Sequence, residues 1–141
     1  MINRWRVAQE KEKEYWTEYE LGKTRDDRHA RNYGAAVNLL SEIQECSQED
    51  VILDVGCGPG NMLELVGVGI RIGLDPLLPH FRKLGLCGRT FEKVRAVGEN
   101  IPFRPGTFNK VFCYNVLDHV ADPEKILVQI RGVMKKRGYL L

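Results

Sequence analysis

Val51-Ile52-Leu53-Asp54-Val55-Gly56-Cys57-Gly58-Pro59-Gly60 decides how this chain folds. A short apolar run interrupted by one acid closes on glycines at alternate positions, and a helical pattern begins near Asn61. A run of this kind reads as a parallel strand buried on both faces. The glycines let the backbone turn sharply and let a ligand approach the main chain with no Cβ in the way. The helix start behind them offers free N–H groups and partial positive charge, which suits an anionic group, either phosphate or carboxylate.

Spacing narrows the choice. Dinucleotide loops follow G-x-G-x-x-G, whereas here the third glycine comes one place early, at Gly60, and Asn61 holds the dinucleotide position. A phosphate-binding P-loop would end in Gly-Lys-Ser/Thr, which is absent. Asp54, two residues ahead of Gly56, would repel a pyrophosphate but favour an ammonium. The loop therefore suits a ligand with a carboxylate, an ammonium and a sugar, and a nicotinamide-dependent oxidoreductase is the less favoured reading. Asp75 closes the next apolar run, Ile70–Asp75, where its two oxygens can accept from vicinal ribose hydroxyls.

Outward from this centre, Lys93–Val97 reads as a weaker third strand and Lys110–Asn115 as a fourth. A helix follows with Asp122 as N-cap and Pro123 in its first position, and its apolar stripe is Ile126, Leu127, Ile130, Val133 and Met134. Gly138–Leu141 opens a fifth strand. Strands alternating with helices predict an α/β domain with a doubly wound, mostly parallel sheet of about five strands over residues 51–141. Residues 1–50 differ: they carry eleven acids and eight bases and hold no strand pattern. Trp5, Ala8, Tyr15, Trp16 and Tyr19 recur at helical spacing, and Gly22 ends that helix. The polar stretch Lys23–Asn32 reads as a loop or helix start, and Tyr33, Ala36, Val37, Leu40 and Ile43 mark a second helix. This N-terminal helical segment is expected to pack on the domain or to act as a lid.

Composition excludes several classes. The 141 residues fit one domain, and 43% hydrophobic with 28% charged residues is neither disordered nor fibrous. A net charge of +2 does not announce a nucleic-acid binder. No apolar run approaches the ~20 residues of a membrane span, and the charged start lacks a signal peptide's apolar core, so the expected location is cytoplasmic. Cys46, Cys57, Cys87 and Cys113 form no C-x-x-C pair and read as free thiols; with His29, His80 and His119 scattered, no metal site is expected.

The blocks VILDVGCGPG, GLDP, VGENIPF and FNKVFCYNVLDHVADPEKILVQIRGVMKKRGYLL, in this order, resemble class I S-adenosylmethionine-dependent methyltransferases. The likeness is to the broad small-molecule group with the signature "LPF…FD…L.HV.DP…L…R.LKPGG.L", and it covers Val51 to Leu141. The opening RWRVAQEKEKEYW is similar to the N-terminal helix of some microbial members. The resemblance implies a Rossmann-like fold, S-adenosyl-L-methionine as cofactor and methyl transfer to an acceptor. It implies that Gly56, Gly58 and Gly60, with Cys57 and Pro59 between them, lie against the methionine part, with Asp54 orienting it. It implies Asp75 on the ribose hydroxyls, Pro76 beside the adenine, and an adenine contact from Gly98, through its backbone, with Glu99 and Asn100 beside it. Asn115 and Val116 would border the reacting methyl group. No catalytic residue is assigned. His119 is the one histidine near the expected mouth and a weak candidate for a base, with Asp118, Tyr114 and Tyr139 as helpers. The family motif itself has a histidine there, which favours a local packing or bonding role. Three departures stand out: Val97 where an acid is frequent, Phe108-Asn109 for Phe-Asp, and Lys135-Lys136-Arg137-Gly138 for Lys-Pro-Gly-Gly.

The expected acceptor is a small molecule. Amino-methylating DNA enzymes place Asp/Asn-Pro-Pro-Tyr/Phe after the fourth strand, but this chain reads Tyr114-Asn115-Val116-Leu117. Cytosine-carbon methylation needs a cysteine nucleophile, typically after a proline, and Cys113 lies inside a strand pattern. Arg82, Lys83, Arg89, Lys93 and Arg95 form a basic cluster that reads as a solvated surface, with an acidic substrate or partner as the alternative. The chain stops inside the fifth apolar run, which suggests the cofactor-binding portion of a longer enzyme. A short member, completed by a partner or second copy covering the open sheet edge, is the other reading. A binding module without catalysis is the alternative function.

Overall fold

A computed structural model describes residues 4–20, 34, 35, 38, 45–87 and 90–141. The proposed second helix with Tyr33, Ala36, Val37, Leu40 and Ile43 lies outside these residues, as do Gly22, the stretch 23–32, His29 and Arg89. The described elements run in the order α1 (Arg4–Glu20), β1 (Val51–Val55), α2 (Asn61–Val66), β2 (Ile70–Leu74), α3 (Leu78–Lys83), β3 (Glu92–Val94), β4 (Phe108–Phe112), α4 (Pro123–Val133) and β5 (Met134–Leu140).

The five strands form one parallel sheet in the order β3-β2-β1-β4-β5, the doubly wound arrangement expected. β1 is central. It pairs with β2 from Val51 opposite Ile70 to Val55 opposite Leu74, and with β4 from Ile52 opposite Lys110 to Asp54 opposite Phe112. The chain changes direction across the sheet after β3, so the crevice at the carboxyl ends of β1 and β4 is where such a fold binds ligands.

β1 is apolar almost throughout because both its faces are covered. Leu53 and Val55 pack with Phe108, Val111, Ile126, Ile130 and Val133 on one face. Ile52 packs with Met62, Leu63 and Phe112 on the other. A third cluster joins α1 to the domain through Trp16, which is 5% exposed against Cys57, Leu77, Leu78 and Phe81. The Trp16 and Phe81 rings meet edge to face, 5.7 Å apart. Within the aromatic stripe of α1, Trp16 is the buried anchor and Tyr19 stays exposed.

The cap of α4 is the one expected: Asp122 has extended backbone and its Oδ1 accepts from the Lys125 N–H at 3.0 Å, with Pro123 following. Strand limits differ by a few residues. β4 starts at Phe108 and ends at Phe112, and β3 is only Glu92–Val94. Met134 belongs to β5 and not to the helical stripe, because the backbone becomes extended there while its N–H still bonds the Ile130 carbonyl. Met134 pairs with Phe108 and Tyr139 with Lys110, so Lys135–Gly138, the third departure from the signature, bulges out of the sheet. Asn109, the second departure, has its Oδ1 accepting from the Val51 N–H at 3.0 Å and from Lys135 Nζ at 3.1 Å. It fastens the start of β1 to β4 and to the bulge. α3 has no counterpart in the sequence reading, since six residues with two buried side chains, Leu78 and Phe81, show too little periodicity.

One charged pair lies in the core at the amino ends of the strands. Lys110, 1% exposed, donates from Nζ to Asp50 Oδ2 at 2.7 Å and to the Glu45 carbonyl at 2.6 Å. Among the described residues no group of metal-ligating side chains gathers, and no helix is long and apolar enough to cross a membrane.

Candidate active site

The loop after β1 explains the alternating glycines. Gly56, Gly58 and Gly60 have φ of 72°, 55° and 114°, in the left-handed region that other residues rarely occupy. The Gly56 and Cys57 N–H groups both donate to the Leu74 carbonyl, at 2.7 and 3.1 Å, which pins the turn to the end of β2. A Cβ at Gly56 would strike the Val116 side chain, and one at Gly60 the Phe91 ring. The loop is consequently packed between its neighbours with its backbone turned toward the crevice.

Asp75 follows β2 and is 7% exposed. Its Oδ2 accepts from the Gly58 N–H at 2.9 Å and its Oδ1 from the Leu77 N–H at 2.7 Å. Burial pushes its carboxyl up to about 6 against the opposing pull of these two N–H groups. Asp54 is nearly buried and accepts no hydrogen bond among the described residues; burial, then the Asp75 charge, raises it well above the usual carboxylate range. Burial likewise raises the Cys57 thiol well above its ordinary value, which makes it a core group and not a nucleophile.

A cavity of about 220 Å³ opens at these strand ends. Of the residues picked from sequence, Gly56, Gly58, Asp75, Pro76, Gly98, Glu99, Asn115, Val116 and His119 line it. Asp54, Cys57, Pro59, Gly60 and Asn100 lie outside the lining. Gly98 sits where a Cβ would press on Ile126 and Val55, so its backbone comes closer to the core than any side chain would permit. Glu99 spends one carboxylate oxygen on the Ala121 and Asp122 N–H groups, at 3.0 and 3.3 Å, and so steadies the entry to α4. Asn115, three residues past the end of β4, has φ 57°, a left-handed conformation tolerable for Asn and frequent at functional positions. Tyr114 lines the cavity, while Tyr139 is out on β5.

On the opposite wall, Gln9 and Glu12 were not picked from the sequence, while Trp5, Tyr15 and Trp16 belong to its aromatic stripe. Trp5, Gln9, Glu12, Tyr15 and Trp16 of α1 line the same cavity. Their spacing was visible, but its use as both anchor and wall depends on the docking of α1 over the loop. Glu12 bridges the mouth: its Oε2 accepts from Trp16 Nε1 at 3.1 Å and its Oε1 lies 3.8 Å from His119 Nδ1. The other ring nitrogen of His119 is 3.3 Å from Asp118 Oδ2.

Residues 53–141 match the family model described as "Methyltransferase domain". A tRNA U34 carboxymethyltransferase from Actinobacillus succinogenes is 36% identical over 109 residues, which cover 67% of this chain and 32% of that protein. A ubiquinone biosynthesis O-methyltransferase from Photobacterium profundum is 27% identical over 96 residues, covering 63% of this chain and 41% of that protein. This chain spans less than half the length of the curated relatives it matches first. A solved SAM dependent methyltransferase from Aquifex aeolicus shares the fold with TM-score 0.60 and 23% identity, over 73% of this chain and 60% of that one. The cavity suits S-adenosylmethionine chemically: the backbone of Gly56 and Gly58, free of Cβ atoms, and the Asp75 carboxyl at the neighbouring strand end line it, while Asp54 is buried behind the lining. The chain belongs to the methyltransferase domain family, in its class I, S-adenosylmethionine-dependent form.

Proposed function

We propose that this chain is the cofactor-binding part of a methyltransferase that acts on a small-molecule acceptor, with the cofactor held by the residues of the glycine-loop cavity. The observation that carries the reading is Asp75, a buried carboxylate bonded to the Gly58 N–H inside the cavity that Asn115 and Val116 close at its other end. When bound, S-adenosylmethionine supplies a methyl group on a sulfonium, already activated toward a nucleophile. Gly56, Gly58 and Gly60, with Cys57 and Pro59 shaping the turn, hold the methionine end, and Asp54 beneath them balances its ammonium. Each Asp75 oxygen uses one acceptor site on a backbone N–H and keeps another for a ribose hydroxyl. Pro76 and the Gly98-Glu99-Asn100 turn flank the adenine, with Val97 offering only its apolar side chain. Asn115 and Val116 border the transferable methyl. His119, set between Glu12 and Asp118, takes the proton of an acceptor that arrives protonated. Residues 1–50 supply, through α1, the wall that excludes water.

Relatives bearing tRNA and ubiquinone names show that the family does not determine the acceptor. The small-molecule reading is supported by Tyr114-Asn115-Val116-Leu117, which lacks the prolines and aromatic that hold an extruded base. Calorimetric titration with S-adenosylmethionine tests the site. Binding is expected, and Asp75→Ala should weaken it by more than about tenfold, as expected for lost charge-assisted bonds. Unchanged affinity overturns the assignment. Incubating the protein with a metabolite extract and following gain of one methyl group by mass spectrometry then identifies the acceptor.

A further inference from the structure

A second, larger concavity of about 630 Å³ adjoins the cofactor cavity and shares Trp5, Gln9, Pro76, Leu77 and Val97 with it. Its remaining wall is basic. Arg6 and Lys13 come from α1, His80 and Lys83 from α3, and Arg95 from the segment after β3. Glu10 is its one acidic lining residue, and it is paired with Lys13 at 2.8 Å. Lys83 and Arg95 have no ion pair or hydrogen bond among the described residues. A basic run on a convex surface is ordinarily just solvated. Here, cations from three separate elements converge on a concave wall, where their fields add and no internal carboxylate beyond Glu10 offsets them. His80 also ties the two sides together, its Nε2 lying 3.2 Å from the Lys13 carbonyl oxygen and 3.3 Å from Thr17 Oγ1. The indole of Trp5 borders both cavities and provides an apolar platform between them.

We infer that this cleft binds the phosphate group of a small phosphate-bearing methyl acceptor, an inference that rests on the methyltransferase reading. Lys83 and Arg95 grip the phosphate oxygens, Arg6 adds to the positive field, and Trp5 carries the apolar or planar part of the ligand toward the cofactor cavity. The basic cluster seen in the sequence thereby divides by structure. Lys83 and Arg95 enter the cleft, whereas Lys93 lies over the Phe91 ring, 3.6 Å from its centroid, and serves that contact.

Calorimetry with inorganic tripolyphosphate as probe, at a fixed moderate ionic strength, tests the inference. Lys83→Gln and Arg95→Gln, both at exposed positions, should each weaken tripolyphosphate binding about tenfold. Lys93→Gln, which removes the same charge outside the cleft, should leave it unchanged. S-adenosylmethionine affinity should be the same in all three variants. Absence of tripolyphosphate binding, or equal weakening by Lys93→Gln, overturns the site. A single-stranded RNA pentamer binding at least tenfold tighter than tripolyphosphate, with the same sensitivity to Lys83→Gln and Arg95→Gln, overturns the small-acceptor assignment. If the variants behave as expected but S-adenosylmethionine fails to bind wild-type protein, the methyltransferase reading fails and the anion cleft stands.

Discussion

The sheet holds buried carboxyls at both its ends, and the two ends treat them in opposite ways. At the amino end, burial alone would raise Asp50, but Lys110 and the Ser47 N–H overcome it and hold the carboxyl below its usual range. At the carboxyl end, Asp75 meets only two N–H groups and burial raises it to about 6, and burial raises Asp54 too, with no donor among the described residues. A carboxylate given a lysine and a backbone donor is finished as a structural joint. One left short of positive charge beside a cavity is a place where folding tolerates a cost that a ligand can relieve.

The largest effect should come from unbalancing the finished end. Lys110→Met leaves Asp50 buried without its cation and should cost about 4 kcal/mol of stability in chemical denaturation. The cofactor affinity of the folded fraction should stay as in wild type, and a joint loss of both would break the division between the ends. Next is the linkage at Asp75. Its folded value lies above the unfolded one, so the native state holds the proton more tightly and ligand-free stability falls as pH rises from about 4 to about 6. The total is about 3 kcal/mol. It should appear as the difference between wild-type and Asp75→Ala denaturation curves across that range. Asp50, with its lowered value, contributes in the reverse sense: its stabilisation is present above the unfolded value and lost as the solution becomes more acid.

Ligand binding should mirror this. S-adenosylmethionine affinity should fall as pH drops through about 6, approaching tenfold per unit once Asp75 is protonated, and a flat profile between pH 5 and 7 would detach Asp75 from the ribose. The smallest effect belongs to the half-exposed Glu12–His119 contact. Glu12→Gln should change stability by less than about 1 kcal/mol in thermal unfolding. A larger loss would make that contact a structural joint like Asp50–Lys110.

The cavity end was far more legible in the sequence than the ion-pair end. β1, the alternating glycines, Asp75 and the Asp122-Pro123 cap each declare themselves through local chemistry, since φ preferences and capping act over a few residues. Lys110 in a strand pattern gave no hint of burial, because its partner Asp50 is sixty residues away. The same holds for α1, whose aromatic spacing was plain but whose place over the loop depends on Phe81 and Leu77. α3 and the bulge in β5 were illegible for another reason: each is shorter than the period that would reveal it.

That bulge has a consequence for whatever packs on this side of the molecule. Among the described residues β5 is the outermost strand on its side of the sheet. The bulge gathers Lys135, Lys136 and Arg137, all exposed, on one short stretch of it and interrupts its register with β4. A surface that meets this stretch has to accept three neighbouring cations and an irregular backbone, which favours an acidic one over a plain strand.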